Sequence, residues 1–301
     1  MSQDSHGPDG RTQDNRPQGT RPVPPMPDSA GEPVHDADRI DPWRVAALHA
    51  ALDRPGPAPA PGEALPPLWH FLFFAEVARR SELGPDGHPA PGHGLIPDTG
   101  LPRRMRAGGR FEFHGPLTIG AEAKRISVLQ NVALKQGGSG ALAIVTVRRE
   151  LFGPEGLAMT EQEDLVYRPM PSDADPVRPA PPVKDDKPAW SRTIVPDTPL
   201  LFRYSALTFN GHRIHYDLPY ATGPEGYPGL LVHGPLIAQL LADLCGDEDG
   251  RPMKTFTYRA VSPIFHDRPF TICGRPFGDR VDLWALNPDG RLAMEATATV
   301  G

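Results

Sequence analysis

The sequence predicts an α+β fold built from two copies of a helix-then-antiparallel-sheet unit, on three observations. Alternating, β-branched runs recur along the chain and are separated by turn-forming clusters, Gln136-Gly137-Gly138-Ser139-Gly140 and Asn287-Pro288-Asp289-Gly290. One strongly apolar helix, Pro235 to Leu244, precedes the second set of runs. The two halves also parallel each other: Phe111-Glu112-Phe113 followed by Pro116-Leu117 has a counterpart in Phe256-Thr257-Tyr258 followed by Pro263-Ile264.

Taken in order, residues 1–37 hold almost no large apolar side chain and are expected to form a disordered tail. Asp41-Pro42-Trp43 opens a short helix through Leu48. Leu68 to Arg80 is aromatic-rich and predicted helical, and a loop rich in Gly, Pro and His follows from Gly84 to Pro102. Strands are expected at Arg110–His114, Lys124–Lys135 and Ala141–Glu150, closing a first unit over 38–168. Pro169 to Pro199, rich in Pro and Asp, is the expected linker. A second unit over 200–301 then carries a helical segment, a histidine cluster, the apolar helix and strands at Lys254–Ala260, Arg268–Gly274, Val281–Leu286 and Leu292–Val300.

Bulk properties narrow the function classes. The chain has 301 residues, enough for one large domain or two ordinary ones, and 39 prolines, many of them in the first 67 residues and from Pro169 to Pro199. A net charge of -6 gives no reason to expect nucleic-acid or membrane-surface binding. Cys245 and Cys273 are the only cysteines, too few for a disulfide framework and not spaced as a zinc or redox pair. No signal-peptide pattern and no bilayer-length apolar run is present, so a cytoplasmic protein is the default. P-loop, dinucleotide and serine-hydrolase motifs are absent.

Chemistry concentrates between Phe202 and Leu244. His215 is the leading general-base candidate, because a neutral imidazole can take and return a proton near neutral pH. Asn210 can orient water by its amide but cannot act as a base, and serves equally well as a turn residue before Gly211. His233-Gly234-Pro235 opens the apolar helix, so the Gly234 N–H could hold an oxygen that gains charge; an ordinary loop-to-helix junction is an equal alternative. Arg103, Arg104 and Arg110 could grip a carboxylate or phosphate, though a solvated charge cluster explains each as well. The His212-x-x-His215 spacing lacks a third ligand, so no metal is expected.

These residues resemble the MaoC-like hydratase/dehydratase family. Its pattern S-G-D-x-N-P-x-H-x-D lies without gaps on Thr208 to Asp217, matching His215 to the family's catalytic His and Asp217 to its last Asp. Gly234 then matches the expected oxyanion donor. Asn210 stands where the family has its catalytic Asp, His212 where it has Asn, and Arg213 where it has Pro. The fuller string from Phe202, with L-P-P-L-W-H-F, E-L-G-P-D-G-H-P and L-P-R-R-M-R-A-G-G-R in the first half, is similar to the branch of mesaconyl-CoA (itaconyl-CoA) hydratases and mitochondrial-type 3-hydroxyacyl-thioester dehydratases.

The resemblance implies a double hotdog, two antiparallel sheets each wrapped around a central helix, with catalysis confined to the second unit. It implies reversible addition of water to an enoyl thioester, a dicarboxylic one such as mesaconyl- or itaconyl-CoA being a candidate. Partners would be an acyl-CoA or acyl-carrier-protein thioester and a possible second copy in a homodimer. No cofactor is implied beyond the coenzyme A of the substrate. His215, Asn210 and Gly234 would be catalytic; His212, Arg213, His233 and Arg104 would contact substrate. A non-catalytic thioester-binding protein and a thioesterase are the rival functions on this fold.

Overall fold

The computed structural model describes residues 31–137, 140–170, 180–183 and 187–301. Ten strands form one antiparallel sheet: β1 (Val34–Arg39), β2 (Arg103–Phe113), β3 (Glu122–Gly137), β4 (Gly140–Gly153), β5 (Gly156–Arg168), β6 (Trp190–Ile194), β7 (Met253–Ala260), β8 (Phe270–Phe277), β9 (Arg280–Leu286) and β10 (Leu292–Val300). Their order is β1-β3-β4-β5-β2-β7-β10-β9-β8-β6. Adding five to each strand number of the first half reproduces the order of the second half in reverse. The repeat seen in the sequence is therefore a repeat of topology, and the two halves meet at β2 and β7. This is the double hotdog.

The junction is built from the residues that make the halves alike. Phe111 on β2 is paired directly with Phe256 on β7, and their rings lie 6.3 Å apart. Gly108 and Gly109 have no substitute here. A Cβ on Gly108 would lie 2.7 Å from the Tyr258 carbonyl oxygen, and one on Gly109 would lie 2.8 Å from the Tyr258 ring. Gly108 and Gly109 thus let the two strands pair where Tyr258 crowds them. Buried residues of both halves, including Trp69, Leu72, Phe111, Leu151, Leu201, Leu236, Leu241, Phe256 and Phe270, form one continuous core.

Four α-helices complete the described residues: α1 (Pro42–Ala51), α2 (Thr198–Leu207), α3 (Leu218–Thr222) and α4 (Gly234–Asp249). The first three start alike. Asp41, Asp197 and Asp217 cap them by accepting the N–H of Trp43, Leu200 and Tyr220, and each has a Pro in its first two positions. Helix α4 starts on His233-Gly234-Pro235 with no side chain over its N–H groups, and ends on Gly250 at φ 75°. It packs against β7 to β10, as the central helix of its unit.

Several expectations are corrected. Leu68 to Arg80 is not a helix: it contains a 3-10 turn at Trp69–Leu72, between Leu68 at φ 65° and Phe74 at φ 57°. Arg44 takes the Leu72 carbonyl and Asp38 takes the Phe74 N–H, so side chains capture groups that a helix would have used. Among the described residues the first unit consequently has no counterpart to α4. Its sheet face instead borders a cavity, through Leu142, Arg149, Leu151, Glu161 and Leu165.

The expected tail falls mostly outside the described residues, but its Val34–Ala37 belongs to β1, where Asp36 pairs in register with Arg125 and bonds it at 2.7 Å. The expected linker of 169–199 contains β6 and the start of α2, and its residues 171–179 and 184–186 lie outside the described set. Strand β5, central to the first unit, was absent from the sequence expectation. The turn residues 138 and 139 lie outside the described residues, between β3 and β4, which pair as expected. Among the described residues no helix is long and apolar enough to cross a membrane.

The two units are also tied by a buried polar link. Trp69 Nε1 donates to Asp243 of α4 at 2.9 Å, with Arg54 at 3.2 Å from the same carboxylate. Burial raises the Asp243 carboxyl to about 6, against the pull of Arg54 and Trp69. A carboxyl raised in the folded state contributes stability below its unfolded value near 3.8, and that contribution is lost as pH rises through about 6. Asp243→Asn keeps an acceptor for Trp69 without the charge. It is expected to stabilise the chain by on the order of 1 kcal/mol at pH 8 and to have no such effect at pH 4, measured by urea unfolding at both pH values.

Candidate active site

The segment between α2 and α4 is held by a short set of backbone bonds. Asn210 N–H donates to the Ser205 carbonyl at 2.8 Å, and Leu231 N–H donates to the Ile214 carbonyl at 3.0 Å. Asn210 Oδ1 accepts the His212 N–H at 3.0 Å, closing a local turn. That bond fixes the amide: its oxygen faces the chain, and its NH₂ is the group left for the adjoining cavity, which Asn210 lines.

His215 ends the 3-10 turn Arg213–His215. Its Nδ1 donates to the Leu231 carbonyl at 2.9 Å. The proton is thereby assigned to Nδ1, and Nε2 keeps a lone pair. Burial pushes the His215 imidazole down to about 4, with the Leu231 carbonyl opposing and His88 adding repulsion. His215 is a neutral base at pH 7. Behind it His233 stacks on its ring with centroids 3.7 Å apart. Tyr204 meets His233 edge-on, and Ser205 Oγ lies 2.8 Å from His233 Nε2. His233 is fully buried, and burial holds it neutral.

These groups border a cavity of about 1430 Å³ lined from both units. The second unit supplies Asn210, His212, His215 and Gly234. A methyl added to Gly234 would meet no protein atom within 4 Å, so the uncapped first turn of α4 faces open space. The first unit supplies Arg103, Arg104, Arg106 and Arg149 with Glu161 and His88. Arg149 lies 3.2 Å from Glu161 and 2.6 Å from Glu163, and Arg106 pairs with Glu163. Burial alone would raise the Glu161 carboxyl, but Arg149 and His70 hold it at about 2. Arg103 is taken up by Glu225 at 2.8 Å and lies over the Tyr227 ring. Arg104 has no ion-pair partner within 4 Å among the described residues.

Of the residues the sequence nominated, His215, Asn210, Gly234, His212 and Arg104 come together on this cavity. Two do not. Arg213 turns away, donating to Asp217 at 2.7 Å and to the Pro85 carbonyl at 2.8 Å while covering the Tyr220 ring. His233 lies behind His215 and touches no cavity space. The sequence reasoning missed Ser205, Arg106, Arg149 and Glu161, and gave no role to Asp86 and His88, which lie in the G-P-D-G-H-P string. One atom each of Asp86, His88 and His212 lies within 4.8 Å of the others, a spacing that suits a cation. Arg104 sits near enough to depress both imidazoles, and its charge opposes a cation there.

Comparison with known proteins agrees with this geometry. A family model described as hydroxyacyl-thioester dehydratase type 2 matches residues 68–266. A mesaconyl-C(4)-CoA hydratase of Chloroflexus aurantiacus is 49% identical over 262 residues, covering 86% of this chain and 91% of that protein. The mitochondrial hydroxyacyl-thioester dehydratase type 2 of Schizosaccharomyces pombe is 28% identical, over 70% of this chain and 77% of its own. A solved Mycobacterium tuberculosis structure described as a double hotdog fold aligns with a TM-score of 0.55 at 12% identity, over 90% of this chain and 96% of that one.

Because the folded imidazole is lowered to about 4, His215 takes no proton until well below the pH at which the unfolded chain binds one. Stability carried by neutral His215 is thus present above about pH 6.5 and lost as pH falls toward 4. In an NMR titration the His215 ring signals are expected to stay at their neutral shifts from pH 8 to 5.5, while an exposed histidine titrates within that window.

Proposed function

The chain belongs to the hydroxyacyl-thioester dehydratase type 2 family, and on that footing we propose that it hydrates an enoyl-CoA whose acyl group carries a second, free carboxylate. Its chemistry is that of a hydro-lyase, reversible addition of water to the double bond of an acyl thioester. The observation that carries the proposal is the pairing of two opposite groups on one cavity: the free Nε2 of His215 and the uncapped N-terminus of α4 at Gly234.

The thioester oxygen would sit at the Gly234 N–H. There the helix N-terminus stabilises the charge that develops as water adds. His215 Nε2 takes a proton from water, the water oxygen bonds to the β-carbon, and the double-bond electrons move toward the carbonyl oxygen. The protonated His215 then returns the proton to the α-carbon. Asn210 would donate through its NH₂ to the water oxygen and hold it in line, a role open to an amide whose own oxygen is already bonded.

The acyl group is inferred from charge. The wall contributed by β2, β4 and β5 bears half-buried arginines paired to glutamates, set among apolar Leu142, Leu151 and Leu165. Arg104 lies on that wall, whereas Arg103 and Arg213 are engaged by Glu225 and Asp217. A free carboxylate on the acyl group, as in the mesaconyl-C(4)-CoA that names the Chloroflexus relative, would complete Arg104.

The test is a panel of enoyl-CoAs with and without a second carboxylate, followed by loss of the enoyl absorbance. The unaltered chain is expected to prefer the dicarboxylic members, and His215→Ala to lose about 100-fold or more in kcat. Near-normal turnover by His215→Ala would remove it from the mechanism. Arg104→Gln is expected to lower kcat/KM for the dicarboxylic substrate by about 10- to 100-fold and to leave a monocarboxylic enoyl-CoA within about threefold. An equal loss on both would place Arg104 on the coenzyme A portion instead.

A further inference from the structure

The first unit sends one loop onto the catalytic segment, and that contact is tightly built. Backbone bonds close the loop on itself: Gly84 N–H to the His88 carbonyl at 2.7 Å, Gly87 N–H to Gly84 at 3.0 Å, and Ala90 N–H to Glu82 at 2.9 Å. Arg213 donates its N–H to the Asp86 carbonyl at 2.8 Å and its guanidinium to the Pro85 carbonyl. Gly87, at φ +88°, is pressed against Gly211: a Cβ on Gly87 would stand 2.1 Å from the Gly211 oxygen, and one on Gly211 would stand 2.7 Å from the Gly87 oxygen. Two glycines facing each other at this distance bring the backbones closer than any other residues permit.

The result of that docking is a carboxylate-backed imidazole at the site. Asp86 Oδ2 lies 3.2 Å from His88 Nδ1, and Asp86 Oδ1 accepts the His88 N–H at 3.1 Å. His88 lines the same cavity as His215 and Asn210, and Asp86 does not. The His88 ring contacts His212 at 4.3 Å between centroids, and His212 meets His215 at 5.5 Å. An imidazole whose Nδ1 donates to a carboxylate presents an unprotonated Nε2, and the carboxylate strengthens that nitrogen as an acceptor.

The hydration step has a vacancy of this kind. The attacking water has two O–H bonds, of which His215 accepts one, and the Asn210 oxygen is committed to His212.

We propose that His88 is a second catalytic residue, whose Nε2 accepts the other O–H of the attacking water, and that Asp86 is its positioning residue. The inference rests on the hydratase function proposed above. Only the proton taken by His215 is transferred, and the second O–H stays intact and becomes the product hydroxyl. His88 therefore ends the step in the protonation state in which it began. The groups facing His88 are Asp86 in its own loop, Arg104 and Arg106 on β2, and His212 and His215 on the catalytic segment. Burial and the two arginines lower its basicity while Asp86 restores part of it, so His88 is neutral and ready to accept at pH 7.

Kinetics on whichever enoyl-CoA the unaltered chain hydrates supply the test. His88→Gln is expected to lower kcat by about 100-fold with KM changed less than about threefold. A kcat within about threefold of the parent, or a loss confined to KM, overturns the assignment and leaves the hydratase function standing. No turnover by the unaltered chain overturns both. Long-range 1H–15N spectra of the full chain give a readout free of substrate and of variant folding. His88 is expected to carry its proton on Nδ1 with Nε2 bare at pH 7, and Asp86→Asn is expected to mix the two tautomers. A protonated Nε2 in the unaltered chain overturns the proposal.

Discussion

The pairing of β2 with β7 is the constraint on which the rest depends. It joins two five-stranded halves into one sheet, and it does so at the strand that bears Arg103, Arg104 and Arg106. The cavity walls are therefore contributed by one half and the catalytic segment by the other. Gly108 and Gly109 permit that pairing, and Gly87 against Gly211 permits a second close approach nearer the proposed chemistry. Both contacts are backbone on backbone or backbone on ring, so neither can be traded for side-chain packing. A duplicated fold has thus become asymmetric in use: the half that lacks a central helix offers its sheet face to the ligand.

Burial decides the protonation states within that cavity. The His215 imidazole lies in ring contact with both His212 and His233, and each of the three is driven toward its neutral form by loss of water. With His215 lowered to about 4, roughly one molecule in a thousand carries its proton at pH 7. In the proposed mechanism the base is consequently free before substrate arrives. The conjugate acid it forms is strong, which favours return of the proton to the α-carbon once an anionic enolate is beside it. The arginines obey the opposite logic: Arg106 and Arg149 stay charged because Glu161 and Glu163 accompany them, and a buried unpaired charge would be far more costly.

Local chemistry was the legible part of the sequence. Asp41 before Pro42 and the turn at Asn287–Gly290 are marked by residues whose preferences act within a few positions, and each lies where the pattern put it, whereas α4 runs five residues beyond the expected end at Leu244, to Asp249 before Gly250. His215 was nominated by a motif of fixed spacing and Gly234 by the His-Gly start of a helix, and both line the cavity. The segment from Leu68 to Arg80 misled because its capture by Asp38 and Arg44 comes from residues some thirty positions away. Strand β5, which follows a Gly at 156, was hidden by charges: Glu161 and Glu163 point inward to Arg149, which inverts the usual alternation. Arg213 was nominated as a substrate contact by its charge alone, and only the fold reveals Asp217 one helical turn away as its partner.

Position 210 brings these strands of argument together. An amide and a carboxylate could both accept the His212 N–H through Oδ1, so the turn that presents His215 is kept with Asn in place. What changes is the atom turned toward the cavity, an NH₂ that donates where a carboxylate would accept. A carboxylate there would also stand close to neutral imidazoles and would raise their basicity, undoing the low value that burial imposes on His215. In the role proposed for His88, its loop supplies an acceptor whose charge is set behind it on Asp86, which does not line the cavity that His215 lines. Negative charge is in this way kept off the space where an anionic enolate must form, while the hydrogen-bonding capacity that water needs is retained.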